Sequence, residues 1–471
     1  MMPSELHQIL TDTPALHQAY LVGGCVRDWL LDIPNKDFDI EVFGVSYADL
    51  SAALVRWGRT DTVGRSFGVV KLTTGTGRTY DFTVPRRDSK VAPGHKGFNV
   101  ECDPDISPLD ASARRDFTIN SMMYDPRQKC VIDFHGGRRD LEQRILRHTS
   151  AAFSEDPLRV LRGMQFAGRF GLHGSPETIQ LCADIHCGFH ELAVERVREE
   201  WFKWAARSAI PSAGLKFLAA TGWIRHFPEI NDLINARQDL EWHPEGDVFS
   251  HTCHVCDALC AMAKWKAADE TSRIAMMLAA LAHDFGKPQT TIDAIKNGRL
   301  RITSPGHSEV GGLLAEQFLN RIDAPRNIVQ RVVPLVLNHL VHLQSPTDHM
   351  IRRLARRLEP ENIRDLCMVM AADALGRPPL APIIPENITR LESMAQTFNL
   401  HDQAPHPILL GRHLLPLGVA PGPVMGEMLH AAFEAQMNGE FFTVDEALQW
   451  LGRQTQLPLA NQIRRQLNTP S

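Results

Sequence analysis

No apolar run in this chain approaches the roughly 18 residues that a membrane-crossing helix needs, so no span is expected. The opening MMPSELHQIL lacks both the basic start and the apolar stretch of a secretory leader. The nine cysteines are an odd number without framework spacing, which excludes a disulfide scaffold and suits reduced thiols in a reducing, cytoplasmic compartment. Bulk positive charge is missing too: the formal net charge is −5, which argues against a protein that coats nucleic acid by charge alone. There is no internal repeat, no low-complexity tract and no strongly basic tail.

What is present is an ordinary globular composition, 44% hydrophobic and 22% charged, in a chain of 471 residues. Single cores stop growing well below that length, so two to four domains are expected. From residue 20 to 85 the text alternates strand-like and helix-like segments. AYLV runs into Gly23-Gly24 and a helix, DFDIEVF reads as a strand, and 46–57 reads as helical. VVKLTT and RTYDFTV flank Gly75-Thr76-Gly77 as a hairpin, giving an α+β unit with a mixed sheet. Between 88 and 110, prolines, glycines and the lack of a helical period read as a mobile loop. Helices dominate after 112; Ile274, Met277, Leu278 and Leu281 share one buried stripe, and RPPLAPIIPE at 377–386 reads as a linker.

Gly23-Gly24 between an apolar strand and CVRDWLLD offers backbone N–H groups at a helix start, where a triphosphate can sit, or else marks only tight packing. Asp37 and Asp39, two apart on the next strand, point the same way and would repel unless divalent cations neutralise them. Asp81 on the hairpin is either a third carboxylate or a solvent-facing strand acid. Asp156 and Arg159 lie three apart on an expected helix, so that an acceptor carboxylate and a guanidinium fork share a face. Such a pair can read a base edge, or be an ordinary surface ion pair. Arg352, Arg353, Arg356 and Arg357 form either a basic patch for RNA or a solvated helix face.

The ordered motifs GGCVRD, KDFDIEV, ARRDFTINSMMYD and EDPLRVLRGMQFAGRF resemble class II transfer RNA nucleotidyltransferases and the related bacterial poly(A) polymerases, over residues 20–205. The resemblance implies a DNA polymerase beta-like α+β head followed by an all-α neck, HD domain and tail. It implies that Gly23, Gly24, Arg27 and Asp28 hold nucleotide phosphates, that Asp37 and Asp39 bind Mg2+, and that Asp81 is the additional strand acid. Arg115, Asp116 and Asn120 match the sugar-contacting motif that links head to neck, and Asp133 with Gly136-Gly137 matches a hinge-like motif. Asp156 and Arg159, extended by Arg162, match the protein template that selects CTP and ATP. ERVREEWFKW resembles a fifth motif in which Arg196 and Glu199 brace that template.

A second set, His251, His283, Asp284, His307, His339 and Asp373, resembles the HD phosphohydrolase family over residues 245–376. Imidazoles and carboxylates suit a divalent metal that lowers the pKa of bound water, with Ni2+, Co2+ or Mn2+ as the candidates. The pattern HTxxHV leaves His254 to packing or a supporting role, and Lys287 is placed to contact phosphate. Cys253, Cys256 and Cys260 share one helix face and read as buried thiols rather than a zinc site.

The domains expected are a head at 1–145, a nucleotide-selecting neck at 146–240, an HD domain at 241–376 and a helical, RNA-binding tail at 377–471. An HD domain with intact ligands resembles bacterial enzymes of the multifunctional type, implying CCA addition to transfer RNA from CTP and ATP together with phosphatase or 2′,3′-cyclic phosphodiesterase activity. Transfer RNA, CTP and ATP are then the partners, with no protein partner implied. A poly(A) polymerase or partial CC- or A-adding enzyme is the alternative; VGRSFGVVKL departs from the basic segment of the poly(A) enzymes. A third reading is an HD phosphohydrolase with a non-catalytic RNA-binding head.

Overall fold

The computed structural model describes residues 2–61, 68–90, 98–454, 456–457 and 460–467. Two compact units divide the chain, Met1–Asn231 and Asp232–Ser471. No helix among the described residues is long and apolar enough to cross a membrane.

The first unit opens on a seven-stranded mixed sheet: β1 Ala19–Val22, β2 Asp39–Val42, β3 Gly58–Asp61, β4 Val69–Thr74, β5 Thr79–Thr83, then β8 Met123–Asp125 and β9 Cys130–Ile132 after β6 Arg86–Lys90 and β7 Phe98–Cys102. The order is β3-β4-β5-β2-β1-β8-β9, with β2 and β5 parallel and the other neighbours antiparallel. The expected hairpin is β4–β5, and the expected helix within 46–57 is Tyr47–Leu54 plus a short 3-10 turn, its start capped by Ser46, whose Oγ accepts the Asp49 N–H at 3.2 Å. Alternating Leu21, Ile40, Val42, Val70, Leu72 and Phe82 are fully buried and form the core face of the sheet.

The loop expected over 88–110 is corrected in part. β6 and β7 pair antiparallel from Arg86↔Cys102 to Lys90↔Phe98. The strand signal was the period-two alternation Phe98, Val100, Cys102, which the neighbouring prolines and glycines masked. Residues 91–97 lie outside the described residues. From Leu158 the unit is helical: Leu158–Phe170 packs against Val194–Arg207 and Pro211–Ala220, around the buried Trp201, Trp204 and Phe217.

The second unit is mainly helical. Val248–Ala261, Glu270–Ala282, His307–Arg321, Arg326–Asn338 and Ile363–Leu375 pack together, and a lone hairpin, Ile292–Lys296 with Arg299–Thr303, interrupts them. Ile274, Met277, Leu278 and Leu281 are buried as expected, but so are Ala275, Met276, Ala279 and Ala280. Glu270–Ala282 is therefore the central helix of the unit, its second face small enough for neighbours to close on it. The proline-rich stretch is irregular up to Glu386, and the later helices Pro423–Asn438, Val444–Arg453 and Ala460–Leu467 share a core of Met428, Ala432, Phe441, Leu451 and Ile463.

Two candidate active sites

The first site is a cavity of about 640 Å³ in the first unit. Gly23, Gly24, Arg27, Asp39, Arg115, Asp116, Asn120, Asp156, Arg159 and Arg162 all line it, together with Glu41, Arg86, Arg114, Phe166 and Arg196. Gly23 follows β1 at φ +73°, a backbone conformation that favours glycine, and a Cβ there would also lie 2.9 Å from Nη1 of Arg115 and displace that guanidinium. The helix Gly24–Leu30 starts at the next residue.

Asp39 begins β2 in direct register with Asp81 on β5. Partial burial in the cavity wall, and next the Asp81 charge, push the Asp39 carboxyl above the ordinary range, Arg115 partly opposing. Asp81 does not line the cavity; its Oδ1 is buried without a hydrogen-bond partner, with the Lys71 ammonium 3.8 Å away. A buried acceptor beside a crowded carboxylate is the charge pattern a divalent cation relieves. The expectation that Asp37 shares the strand with Asp39 is corrected. Asp37 stands before β2 in a turn held by Asn35, which donates to the Asp37 carbonyl at 2.7 Å and accepts its N–H at 3.1 Å.

Along the cavity wall runs a buried polar chain. Asp28 accepts from Arg27 Nε at 2.9 Å and Nη2 at 2.6 Å. Nη1 of Arg27 donates to Asn120 Oδ1, and Asn120 Nδ2 donates to Asp116 Oδ1 at 2.9 Å. Asp116 Oδ2 accepts from Arg162 at 2.7 and 2.8 Å. Burial alone would raise the Asp116 pKa, but the Arg162 charge and the Asn120 hydrogen bond outweigh it and hold the carboxyl below its usual value. Asp28, Asp116 and Asn120 thus fix arginines; Asp116 and Asn120 also line the cavity, whereas Asp28 does not.

Asp156 and Arg159 do face the same cavity, but Asp156 is not on the helix expected to carry both. It ends the 3-10 turn Ala151–Glu155 in extended conformation, because Pro157 disfavours helical φ/ψ before it, and its Oδ1 accepts the Leu158 N–H at 3.1 Å. Arg196 binds its Oδ2 at 2.8 Å. The Arg159 guanidinium is held by two carbonyls, of Ala152 at 2.7 Å and Arg114 at 2.8 Å. The bracing role expected of Glu199 is also corrected: its side chain is 64% exposed, near Lys203. Its neighbour Glu200 is buried and adds to the negative charge that keeps Arg162 protonated. Glu41 and Glu200 escaped the sequence reading, although Glu41 is two residues beyond Asp39 and shares its face; it accepts from Arg115 at 2.9 Å. Asp133 caps the helix Gly137–Glu142, accepting the N–H groups of Gly137 and Arg138 at 2.9 Å.

The second site lies inside the second unit. His251, His283, Asp284, His339 and Asp373 are buried, and His307 borders on it. The Nδ1 atoms of His283, His307 and His339 lie 2.7, 2.7 and 2.6 Å from the carbonyls of Ala280, Ser304 and Val336. Carbonyls only accept, so each Nδ1 carries a proton and Nε2 is the ring nitrogen turned into the centre. These Nε2 atoms converge: His283 and His251 at 3.3 Å, His307 and His339 at 3.3 Å, with Asp373 Oδ1 3.2 Å from His251 Nε2 and Asp284 Oδ1 3.4 Å from His307 Nε2. Among the described residues three groups have metal-binding spacing: His251–His283–Asp373 and Asp284–His307–His339 at the centre, and His243–Glu245–His251 beside it. Burial, followed by the charge of His283, pushes the His339 imidazole down to about 3, leaving it a neutral donor. Lys287 reaches Asp284 Oδ2 at 2.7 Å and Gln238 at 3.0 Å, and Arg377 reaches Asp373 at 2.7 Å.

His243 and Glu245, missed in the sequence, stand behind His251; the signal was their spacing of two in HPEGD just before the helix. His254 is half-buried on the same helix, and Cys253, Cys256 and Cys260 are buried thiols outside any disulfide. The arginine patch is corrected: Arg352 donates to the Met437 carbonyl at 2.9 Å, and Arg353 and Arg356 both pair with Glu434 at 3.0 and 2.7 Å. These three tie Asp348–Leu358 to Pro423–Asn438, while Arg356 and Arg357 stay exposed to solvent.

A mixed-sheet head with crowded acids at an arginine-lined cavity, joined to a buried histidine and aspartate centre, defines a nucleotidyltransferase head combined with an HD domain. Family comparison agrees: residues 19–147 match the poly A polymerase head domain, and 248–377 match the HD domain. The multifunctional CCA protein of Xylella fastidiosa (strain 9a5c) is 34% identical over 372 residues, covering 76% of this chain and 84% of the relative. That of Nitrosococcus oceani is 35% identical over 369 residues, covering 76% and 85%. The chain belongs to the multifunctional CCA protein family. The fold is shared with the Bacillus stearothermophilus CCA-adding enzyme in complex with CTP, at TM-score 0.60 and 20% identity over 99% of this chain and 100% of that one. It is shared as well with the Thermotoga maritima CCA-adding enzyme complexed with tRNA, at TM-score 0.58 and 18% identity over 96% of each. Both domain families use divalent metal ions.

Proposed function

We propose that the head adds C, C and A to the 3′ end of transfer RNA from CTP and ATP, releasing pyrophosphate, and that the HD centre clears phosphate or cyclic phosphate from damaged 3′ ends. The observation that carries this reading is a single cavity lined both by the acid for phosphoryl transfer, Asp39, and by the base-reading pair, Asp156 with Arg159.

Asp37 and Asp39 would hold magnesium, with Asp81 as the further acid; magnesium there would supply charge neutralisation for the triphosphate and activation of the attacking hydroxyl. The backbone at Gly23 and Gly24 and the side chains of Arg27 and Arg115 bind phosphates. Asp28 and Asn120 keep the Arg27 fork aimed, and Asp116 does the same for Arg162. Asp156 accepts the exocyclic amino group of cytosine or adenine, and Arg159 donates to the adjacent acceptor. Arg196 fixes Asp156 so that the pair serves as a template without nucleic acid. In the second unit His251, His283, Asp284, His307, His339 and Asp373 would hold divalent transition ions, for which Ni2+, Co2+ and Mn2+ suit the nitrogen and oxygen donors. Lys287, whose ammonium lies 2.7 Å from Asp284 Oδ2, would steady a phosphoryl oxygen.

Within this reading residues 1–145 form the head, 146–240 the selecting neck, 241–376 the HD domain and 377–471 an RNA-docking tail. None of the nine cysteines is in a disulfide, which suits work in the cytoplasm. The deciding experiment supplies transfer RNA lacking CCA with CTP alone, ATP alone or both. Two added cytidines with CTP and a complete CCA with both are expected; long A tracts from ATP alone would overturn the reading in favour of a poly(A) polymerase.

A further inference from the structure

Four imidazoles present Nε2 to the HD centre, and three of them share one support. His283, His307 and His339 each give Nδ1–H to a main-chain carbonyl three residues earlier, a neutral acceptor within the local turn. His251 differs. Its Nδ1 lies 2.7 Å from Oε1 of Glu245, with the Gly376 carbonyl at 3.2 Å. The Glu245 side chain is 0% exposed, and the same Oε1 accepts from His243 Nδ1 at 2.9 Å. Its Oε2 is buried without a hydrogen-bond partner. A carboxylate here sits directly behind one nitrogen donor of the centre and behind no other. Hydrogen bonding of an imidazole N–H to a carboxylate fixes the ring and raises the electron density on the opposite nitrogen.

We propose that Glu245 is a positioning residue for the metal centre, and that it makes His251–His283–Asp373 the tighter of two metal subsites, with Asp284–His307–His339 filling second. This rests on the reading of the HD centre as a metal site. His243 donates to the same Oε1 and keeps the carboxylate aligned on His251.

The test titrates metal-free full-length protein with Mn2+ by calorimetry. Wild type takes up ions in two steps. Glu245→Gln keeps the size and one acceptor but removes the charge, and it weakens the tighter step on the order of 10- to 100-fold while leaving the weaker step unchanged. Glu245→Asp restores the charge one methylene short and recovers part of that loss, and His307→Ala removes the weaker step alone. Melting of each metal-free variant within a few degrees of wild type, together with unchanged CCA addition, separates this from misfolding.

A Glu245→Gln protein that keeps wild-type affinity in the tighter step overturns the proposal, since packing alone would then account for Glu245. So does equal weakening of both steps, a Glu245→Asp protein no tighter than Glu245→Gln, loss of the tighter step in His307→Ala, or a wild type with one step only. A wild type that binds no Mn2+, Co2+ or Ni2+ overturns the metal reading itself.

Discussion

At the residue scale, the head works through charges held by other charges. Asp116 is buried with its carboxyl kept ionised chiefly by Arg162, so Asp116→Ala leaves a guanidinium without its counterion. The variant is expected to lose about 3 kcal/mol at pH 7 by urea denaturation, the low end for a broken buried pair, because Arg162 is partly open to water. The sign follows from linkage. A depressed folded-state pKa stabilises above the unfolded-state value and ceases to as pH falls through the folded one. The gap between wild type and variant should therefore narrow on acidification below about pH 4, and a gap that widens there would contradict the pairing. Asp156→Ala removes the acceptor that Arg196 holds. Preference for CTP and ATP over UTP and GTP is expected to fall on the order of 10- to 100-fold in single-nucleotide incorporation assays. Unchanged preference would remove Asp156 from base selection.

At the scale of elements, residues set by local rules were legible and those set by partners were not. Gly23-Gly24, the hairpin around Gly75-Thr76-Gly77 and the buried helix Glu270–Ala282 follow from turn chemistry and periodicity. Asp156 left its expected helix because Pro157 follows it, a local signal that the i, i+3 spacing overrode. Arg352, Arg353 and Arg356 looked like a surface patch because the acid that neutralises two of them, Glu434, is far away in the chain. Glu200 was passed over for Glu199 because only the docking of Val194–Arg207 decides which of two adjacent acids faces Arg162. Close approach between elements gives a further prediction. A Cβ on Gly286 would lie 2.1 Å from the His307 carbonyl oxygen. Gly286→Ala should push the start of His307–Arg321 away from His283-Asp284 and weaken metal binding on the order of 10-fold or more. Calorimetry showing wild-type affinity would mean the centre tolerates the shift.

At the scale of the whole molecule, the acids of the head and the ligands of the HD centre belong to different compact units. Asp39→Ala should lower nucleotide addition on the order of 100-fold or more while phosphohydrolysis is retained, and His283→Ala should do the reverse. Joint loss of both activities in a folded Asp39→Ala protein would show that the sites depend on each other.

From the sequence alone came the two kinds of chemistry, the order of the motifs and nearly every side chain proposed to touch a phosphate, base or metal. Reactive groups are recognised by type and spacing, and both are written in the chain. Tertiary structure alone decided that Asp81 lies in register with Asp39, that Glu245 stands behind His251 and Glu41 against Arg115, and that the six HD donors divide into two triads. Apart from Glu245 and His251, which are neighbours in the chain and meet through the way the helix start folds back, such contacts join residues tens to more than a hundred positions apart, and no local propensity encodes them.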